Sequence, residues 1–239
     1  KRKLRTALTA ATLTLLTFTV TSFTSVRSGL DFYRLPREVK PLYEGALVRD
    51  RSWKGMQQST LEYVQSAFGK QALVVPRAWY LSPVQAEWAY IDVANTGTGQ
   101  ASFVNGLVGF APEETQISGL DRLLLAGRFF APGDEEVCIL PDQVAQLLGV
   151  TLEQVGQARV LIFGRQYLVI GLIKGTALDQ VVDLDGERLT PVDSVNEASK
   201  IQRDRDEDPR NKAANAIETF NHLAAANTLL LPYQRVMAM

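Results

Sequence analysis

One cysteine and one histidine, Cys138 and His222, stand in a chain of 239 residues. A lone cysteine makes no internal disulfide. A chain of this length can build a core without one, so the missing cysteine framework leaves the compartment open. With no second histidine, and with Cys138 far off along the chain, there is no spacing for a zinc site or a Cys-His dyad. Charge of either sign is not in excess: 25 Lys and Arg against 26 Asp and Glu leave −1 at pH 7. That balance argues against a nucleic-acid binder. No Walker A loop is present. The run Gly97-Thr98-Gly99-Gln100-Ala101-Ser102 lacks the third glycine of a dinucleotide loop, and a strand-like run follows where a helix is needed. Asp183-Leu184-Asp185-Gly186-Glu187 has the wrong ligand spacing for a calcium loop and reads as a hairpin turn. No catalytic, cofactor or metal site is assigned, and the chain is expected not to be an enzyme, with a membrane-anchored extracytoplasmic hydrolase or a periplasmic binding module as the alternative.

The two rare residues read as structural. Cys138 sits in the apolar run Glu136-Val137-Cys138-Ile139-Leu140 and is expected to be a small buried hydrophobe. His222, in Phe220-Asn221-His222-Leu223, is expected on a helix surface or partly packed. Trp79, Tyr80, Trp88 and Tyr90 read as core and cross-strand aromatics, with an exposed aromatic patch as the sharper alternative.

What the chain does have is an uneven start. Lys1, Arg2, Lys3 and Arg5 cluster at the N-terminal end, and the next charge is Arg27. From Thr6 to Val26 there is no charge, Pro or Gly, a length that spans a bilayer core as a helix. Many threonines dilute its apolar residues, but a threonine hydroxyl can bond back to a carbonyl one turn earlier. Ala7, Ala10, Thr14, Thr17, Thr21 and Thr24 recur at steps of three and four, a stripe of small residues on which another membrane helix could pack. Basic residues ahead of the helix place its N-terminal end in the cytoplasm and the rest of the chain outside. A cleaved signal peptide, a buried soluble helix and an interfacial helix are the competing readings. The first lacks a clean small-x-small site, and the chain does not begin with Met. The last would want charges on its polar face.

Residues 1–28 are thus expected to be a basic flank and transmembrane helix, and 29–239 an extracytoplasmic domain. Strands are expected at Gly45 to Val48, Leu73 to Pro76, Trp88 to Val93, Phe103 to Phe110, Val137 to Leu140 and Thr228 to Leu231. Hairpins are expected around Gly164-Arg165-Gln166 and Asp185-Gly186. Helices are expected over Trp53 to Phe68, Pro141 to Leu148 and Asn211 to Ala226. Arg203 to Arg210 reads as a solvated loop. Short strands and a few helices without regular alternation indicate an α+β fold.

Several of these segments fall in a familiar order. A strand closes on Gly109-Phe110-Ala111, and Leu124-Leu125-Ala126-Gly127-Arg128-Phe129-Phe130 follows. Then come Glu135-Glu136-Val137-Cys138-Ile139-Leu140, a helix ending Ala145-Gln146-Leu147-Leu148-Gly149, and a hairpin from Gly156 to Gly171. With the basic start Lys1 to Thr9 and the late Leu230-Leu231-Pro232-Tyr233, this order resembles the periplasmic core domain of the MacB and FtsX type of ABC-transporter permease. Residues 30–105 match only in layout. The resemblance implies a permease fragment, incomplete at the C-terminus and lacking three later membrane helices. It also implies a cytoplasmic ATP-binding subunit as partner, a permease dimer, contact with membrane lipid, and a periplasmic adaptor or substrate protein. The implied work is mechanical: ATP hydrolysis inside would drive export, lipoprotein release or signalling outside.

Overall fold

The computed structural model describes residues 2–24, 43–50, 53–82, 90–193, 196–197 and 220–239. The chain divides into two compact units, 1–37 and 38–239. In the first, helix α1 spans Arg2–Thr24. No Pro or Gly interrupts it, and its Ala and Leu residues favour helix over the cost of the threonines. Thr9, Thr14, Thr17 and Thr19 donate their hydroxyls to the carbonyls of Arg5, Ala10, Leu13 and Leu15, at 2.7–3.0 Å. The back-bonding expected from the sequence is therefore present. The same threonines keep mean hydropathy low, and no helix among the described residues is long and apolar enough to cross a membrane.

In the second unit, near-continuous apolar runs make the strands at the centre of the sheet, buried on both faces, while other strands alternate buried with exposed residues. The strands are β1 (Arg77–Leu81), β2 (Ile91–Asn95), β3 (Ala101–Val104), β4 (Gly106–Phe110), β5 (Leu124–Gly127), β6 (Val137–Pro141), β7 (Arg159–Ile162), β8 (Arg165–Ile173) and β9 (Thr228–Pro232). They form one sheet in the order β1-β4-β9-β6-β8-β7-β2-β3. Pairing is parallel for β4 with β9 and β6 with β8, and antiparallel elsewhere. The long β8 carries β7 along Arg165 to Leu168 and β5 along Gly171 to Ile173. Short helices α2 (Gln58–Phe68), α3 (Glu114–Ser118), α4 (Asp142–Leu147), α5 (Gly175–Leu178) and α6 (Tyr233–Met237) complete the unit. The mixed sheet with few helices agrees with the expected α+β class.

Alternation sorts the core. Cys138, Leu140, Leu229 and Leu231 enter one cluster with Val144 of α4, Leu148 just after it, and Val236 of α6. Ile139, Leu230, Val108 and Phe110 enter the other with Leu120, Phe129, Phe130 and Leu178. A register shift between Cys138 and Ile139 on the β6–β8 ladder changes the parity of β8. Val169 and Leu172, three apart, consequently share a cluster. At Gly109 a Cβ would lie 2.9 Å from that of Val236, so glycine is what lets α6 close on the sheet.

Several local expectations are corrected. Gly45 to Val48 is not a strand, and Leu73 to Pro76 is irregular, with β1 beginning just after it. The helix expected from Trp53 starts only at Gln58. Phe103 to Phe110 is two strands broken at Asn105, whose N–H donates to the carbonyl of Asn227 at 2.8 Å. β3 therefore pairs with β2 at one end of the sheet, while β4 lies between β1 and β9. The β7–β8 turn is Phe163-Gly164, at φ 48 and 74, the pair of positive φ that a type I′ hairpin needs. Ala225–Asn227 is a single 3-10 turn, and the helix expected over Asn211 to Ala226 is absent from Phe220 to Ala224. There the backbone pairs with 191–193 instead, through Leu223 N to Pro191 O at 2.8 Å and Asp193 N to Asn221 O at 2.7 Å. Tertiary pairing overrides helix propensity. Residues 211–219, Trp88 and the Arg203 to Arg210 loop lie outside the described residues.

Candidate functional site

The turn expected at Asp185-Gly186 forms, and it is the centre of the charged cluster. Gly186 sits at φ 78, its N–H donates to the Asp183 carbonyl at 2.9 Å, and Asp183 N–H donates to Glu187 O at 2.8 Å. Asp183, Asp185 and Glu187, at alternate positions, each meet a different basic group. Asp183 accepts from the Arg77 guanidinium and from the Tyr43 hydroxyl. Asp185 accepts from Arg49 Nε at 2.6 Å. Glu187 Oε2 lies 3.1 Å from His222 Nε2.

Arg77 opens β1 and also forms a two-pronged contact with Glu114 of α3, both hydrogen bonds at 2.9 Å. Glu114 is fully buried. Burial works against the Arg77 charge, but Glu114 and Asp183 outweigh it and raise its pKa further. Burial first, and then the hydrogen bond to Asp183, pushes the Tyr43 phenol well above its ordinary range. The His222 ring is 1% exposed. Its Nδ1 contacts the Thr190 carbonyl, which can only accept, so Nδ1 carries the proton.

Aromatic rings close the cluster. Trp53 stacks on Trp79 with centroids 4.6 Å apart, and the Arg49 guanidinium lies 4.3 Å over Trp53. His222 and Phe220 meet Trp53 edge-on. Trp79 donates its indole N–H to Leu189 O at 3.1 Å. Trp53 Nε1 and Thr190 Oγ1 are buried with no hydrogen-bond partner. Among the described residues no group of three His, Cys, Asp or Glu could hold a metal ion. What this arrangement can do chemically is hold separate segments together by charge, hydrogen bonds and stacking.

The sequence-assigned residues fall elsewhere. Ala7, Ala10, Thr14, Thr17, Thr21 and Thr24 all lie in α1, with Ala7, Ala10, Thr14 and Thr17 exposed. Cys138 is buried in β6, and burial raises its thiol pKa far above the ordinary value. His222 is on no helix; it bridges to Val192 with its ring inside the cluster. Tyr80 contacts Phe163 edge-on, and Tyr90 and Phe103 form an exposed aromatic pair 4.1 Å apart. Tyr43, Arg49, Trp53, Arg77 and Glu114 were not assigned from sequence. A charge opening the apolar strand β1 was the one signal available.

No curated protein matches the chain by sequence. Among solved structures, the chain is similar to the periplasmic region of MacB from Actinobacillus actinomycetemcomitans. That likeness has a TM-score of 0.43 and 13% identity, and covers 79% of this chain and 61% of that one. It is also similar to the extracellular domain of the noncanonic ABC-type transporter YknZ from Gram-positive bacteria. There the TM-score is 0.38 and the identity 18%, over 50% of this chain and 57% of the other. The chain thus spans less than two thirds of either. The family profile described as the MacB-like periplasmic core domain matches residues 6–218. By that match the chain belongs to the MacB-like periplasmic core domain family.

Proposed function

We infer that the chain is part of an ABC-transporter permease, with α1 in a bacterial cytoplasmic membrane and unit 38–239 outside. The observation that carries this reading is α1 in a chain of this family. It has no charge after Arg5, and Thr9, Thr14, Thr17 and Thr19 return their hydroxyls to its own backbone. Such back-bonding lowers the cost of a threonine in lipid. Leu13, Leu15, Leu16, Phe18 and Val20 are exposed along the helix and suit contact with lipid. The basic cluster at residues 1–5 supports a cytoplasmic N-terminal end.

In this reading the chain catalyses no reaction. A cytoplasmic ATP-binding subunit supplies energy, a second permease copy completes the bundle, and the outer domain moves to drive export, lipoprotein release or signalling to a periplasmic partner. The Ala7 to Thr24 stripe packs on neighbouring helices. Topology is tested by placing a cysteine at Asp206 and treating intact cells with a membrane-impermeant thiol reagent. Labelling without lysis is expected; labelling only after lysis overturns the arrangement. Coupling is tested in the reconstituted transporter, where Thr17→Leu is expected to separate ATP hydrolysis from output and Leu16→Ile to leave it intact. Equal behaviour of the two removes the role of the stripe.

A further inference from the structure

Between Tyr43 and Gln57 the described residues, 43–50 and 53–57, form no strand or helix. Among the described residues, none of its backbone groups forms a backbone hydrogen bond to the sheet. Its attachment is through side chains. Tyr43 donates to Asp183, Arg49 pairs with Asp185, and the Trp53 ring stacks on Trp79 against His222 and Phe220. Trp53 adopts φ 56, a conformation that a bulky side chain holds only when its surroundings impose it. Its indole N–H is buried without a partner. Beyond it, α2 has no buried residue. The next firm attachment along the chain is β1, laddered to β4 from Arg77.

We propose that the described residues between Tyr43 and Trp53 act as a releasable strap, through which tension arriving at Tyr43 reaches the 183–187 turn and the 220–223 segment before it reaches β1. Its biological use rests on the permease reading above; its mechanics do not. The contacts are of the kind that let go in sequence. An ion pair, a phenol hydrogen bond and a stack are each local, whereas a strand ladder gives way as a unit. Trp53 adds strain that release removes. When the strap lets go, the chain up to Pro76 is freed and β1 then takes the tension.

Single-molecule pulling on the full chain in detergent tests this, with thiol handles at Ser28→Cys and Met239→Cys; Cys138 is buried and does not compete. Two events are expected. A low-force extension of at most about 120 Å comes from freeing 43–76 at full stretch. A separate higher-force unfolding of the sheet follows. Arg49→Ala is expected to speed the first event about tenfold, the loss of a charged hydrogen bond, and to leave the second unchanged. That unchanged second event also reports that the variant is folded. Tyr63→Ala, on exposed α2, should alter neither. A single unfolding event in the parent chain, or a first event indifferent to Arg49→Ala, overturns the strap. If instead the strap behaves as described while the topology or coupling tests fail, the permease reading falls and the mechanical inference stands.

Discussion

The sheet and the strap belong to one compact unit and are held by different physics. At the centre of the sheet, β6 pairs with β8 and β9, and Ile139, Leu140, Leu229 and Leu230 have no exposed surface. Backbone ladders and apolar burial act there together, so no residue can leave alone. The described residues of the strap have neither a ladder nor a buried apolar run; its seat is made of Arg49, Tyr43 and Trp53 against carboxylates and rings. Damage to the sheet should therefore register as global stability, and damage to the strap as local opening.

The largest effect is expected in the sheet. Leu140→Ala removes a side chain that is 0% exposed and should cost about 2–5 kcal/mol by lost burial and a residual cavity. Urea unfolding of the chain checks this. A loss under about 1 kcal/mol would mean that the β6 region repacks and that the contrast with the strap is weaker than drawn.

Next comes the joint between the two regions. Glu114→Gln leaves Arg77 with Asp183 alone inside the protein and should cost about 3 kcal/mol, the usual penalty for breaking a buried pair from one side. The double variant Arg77→Met with Glu114→Gln should lose more, because buried Asp183 is then left without its guanidinium partner. A double variant as stable as the single one would show that the Tyr43 hydroxyl and the Leu184 N–H are enough for Asp183.

That joint also marks where the sequence stops being legible. β6 and the β7–β8 hairpin could be read because their apolar alternation and turn residues are local. The acidic run at 183–187 could be read as a turn for the same reason. Its partners could not: Arg49 is 136 positions from Asp185 and Tyr43 is 140 from Asp183. His222 was misplaced on a helix because its local run favours one, while pairing with 191–193 decided otherwise. The break at Asn105 likewise depends on a carbonyl at Asn227. Topology and the charged cluster both rest on contacts distant in sequence, which no window along the chain contains.

A gentler change sharpens the strap side of the comparison. Tyr43→Phe keeps the ring and removes the hydroxyl that donates to Asp183. Asp183 retains Arg77 and the Leu184 N–H, so the loss should be about 1 kcal/mol and confined to the strap. Trypsin cleavage between Arg49 and Lys54 should rise about fivefold, following the population of the open form, with the urea midpoint of the sheet unchanged. A shift of the midpoint with no change in cleavage would place Tyr43 in the cooperative core.

The smallest effect is expected from Asp142, at the start of α4 and away from the strap. Burial pushes its carboxyl up. Lys174 Nζ at 2.7 Å and the Gly175 N–H at 3.0 Å outweigh burial and hold it below the usual carboxylate range. A carboxyl depressed in the folded state binds its proton more readily when unfolded. It therefore stabilises the fold above the unfolded carboxyl titration, and that contribution fades as pH falls through the folded one. Because the Lys174 side chain is 48% exposed, solvent and salt screen the pair, and the contribution stays under about 1 kcal/mol. Asp142→Asn should lower stability slightly at pH 7 and approach the parent at pH 3, as measured by urea unfolding at the two values. A deficit that persists undiminished at pH 3 would show that the loss does not come from the charge, since the amide oxygen of the variant can still accept from the Gly175 N–H.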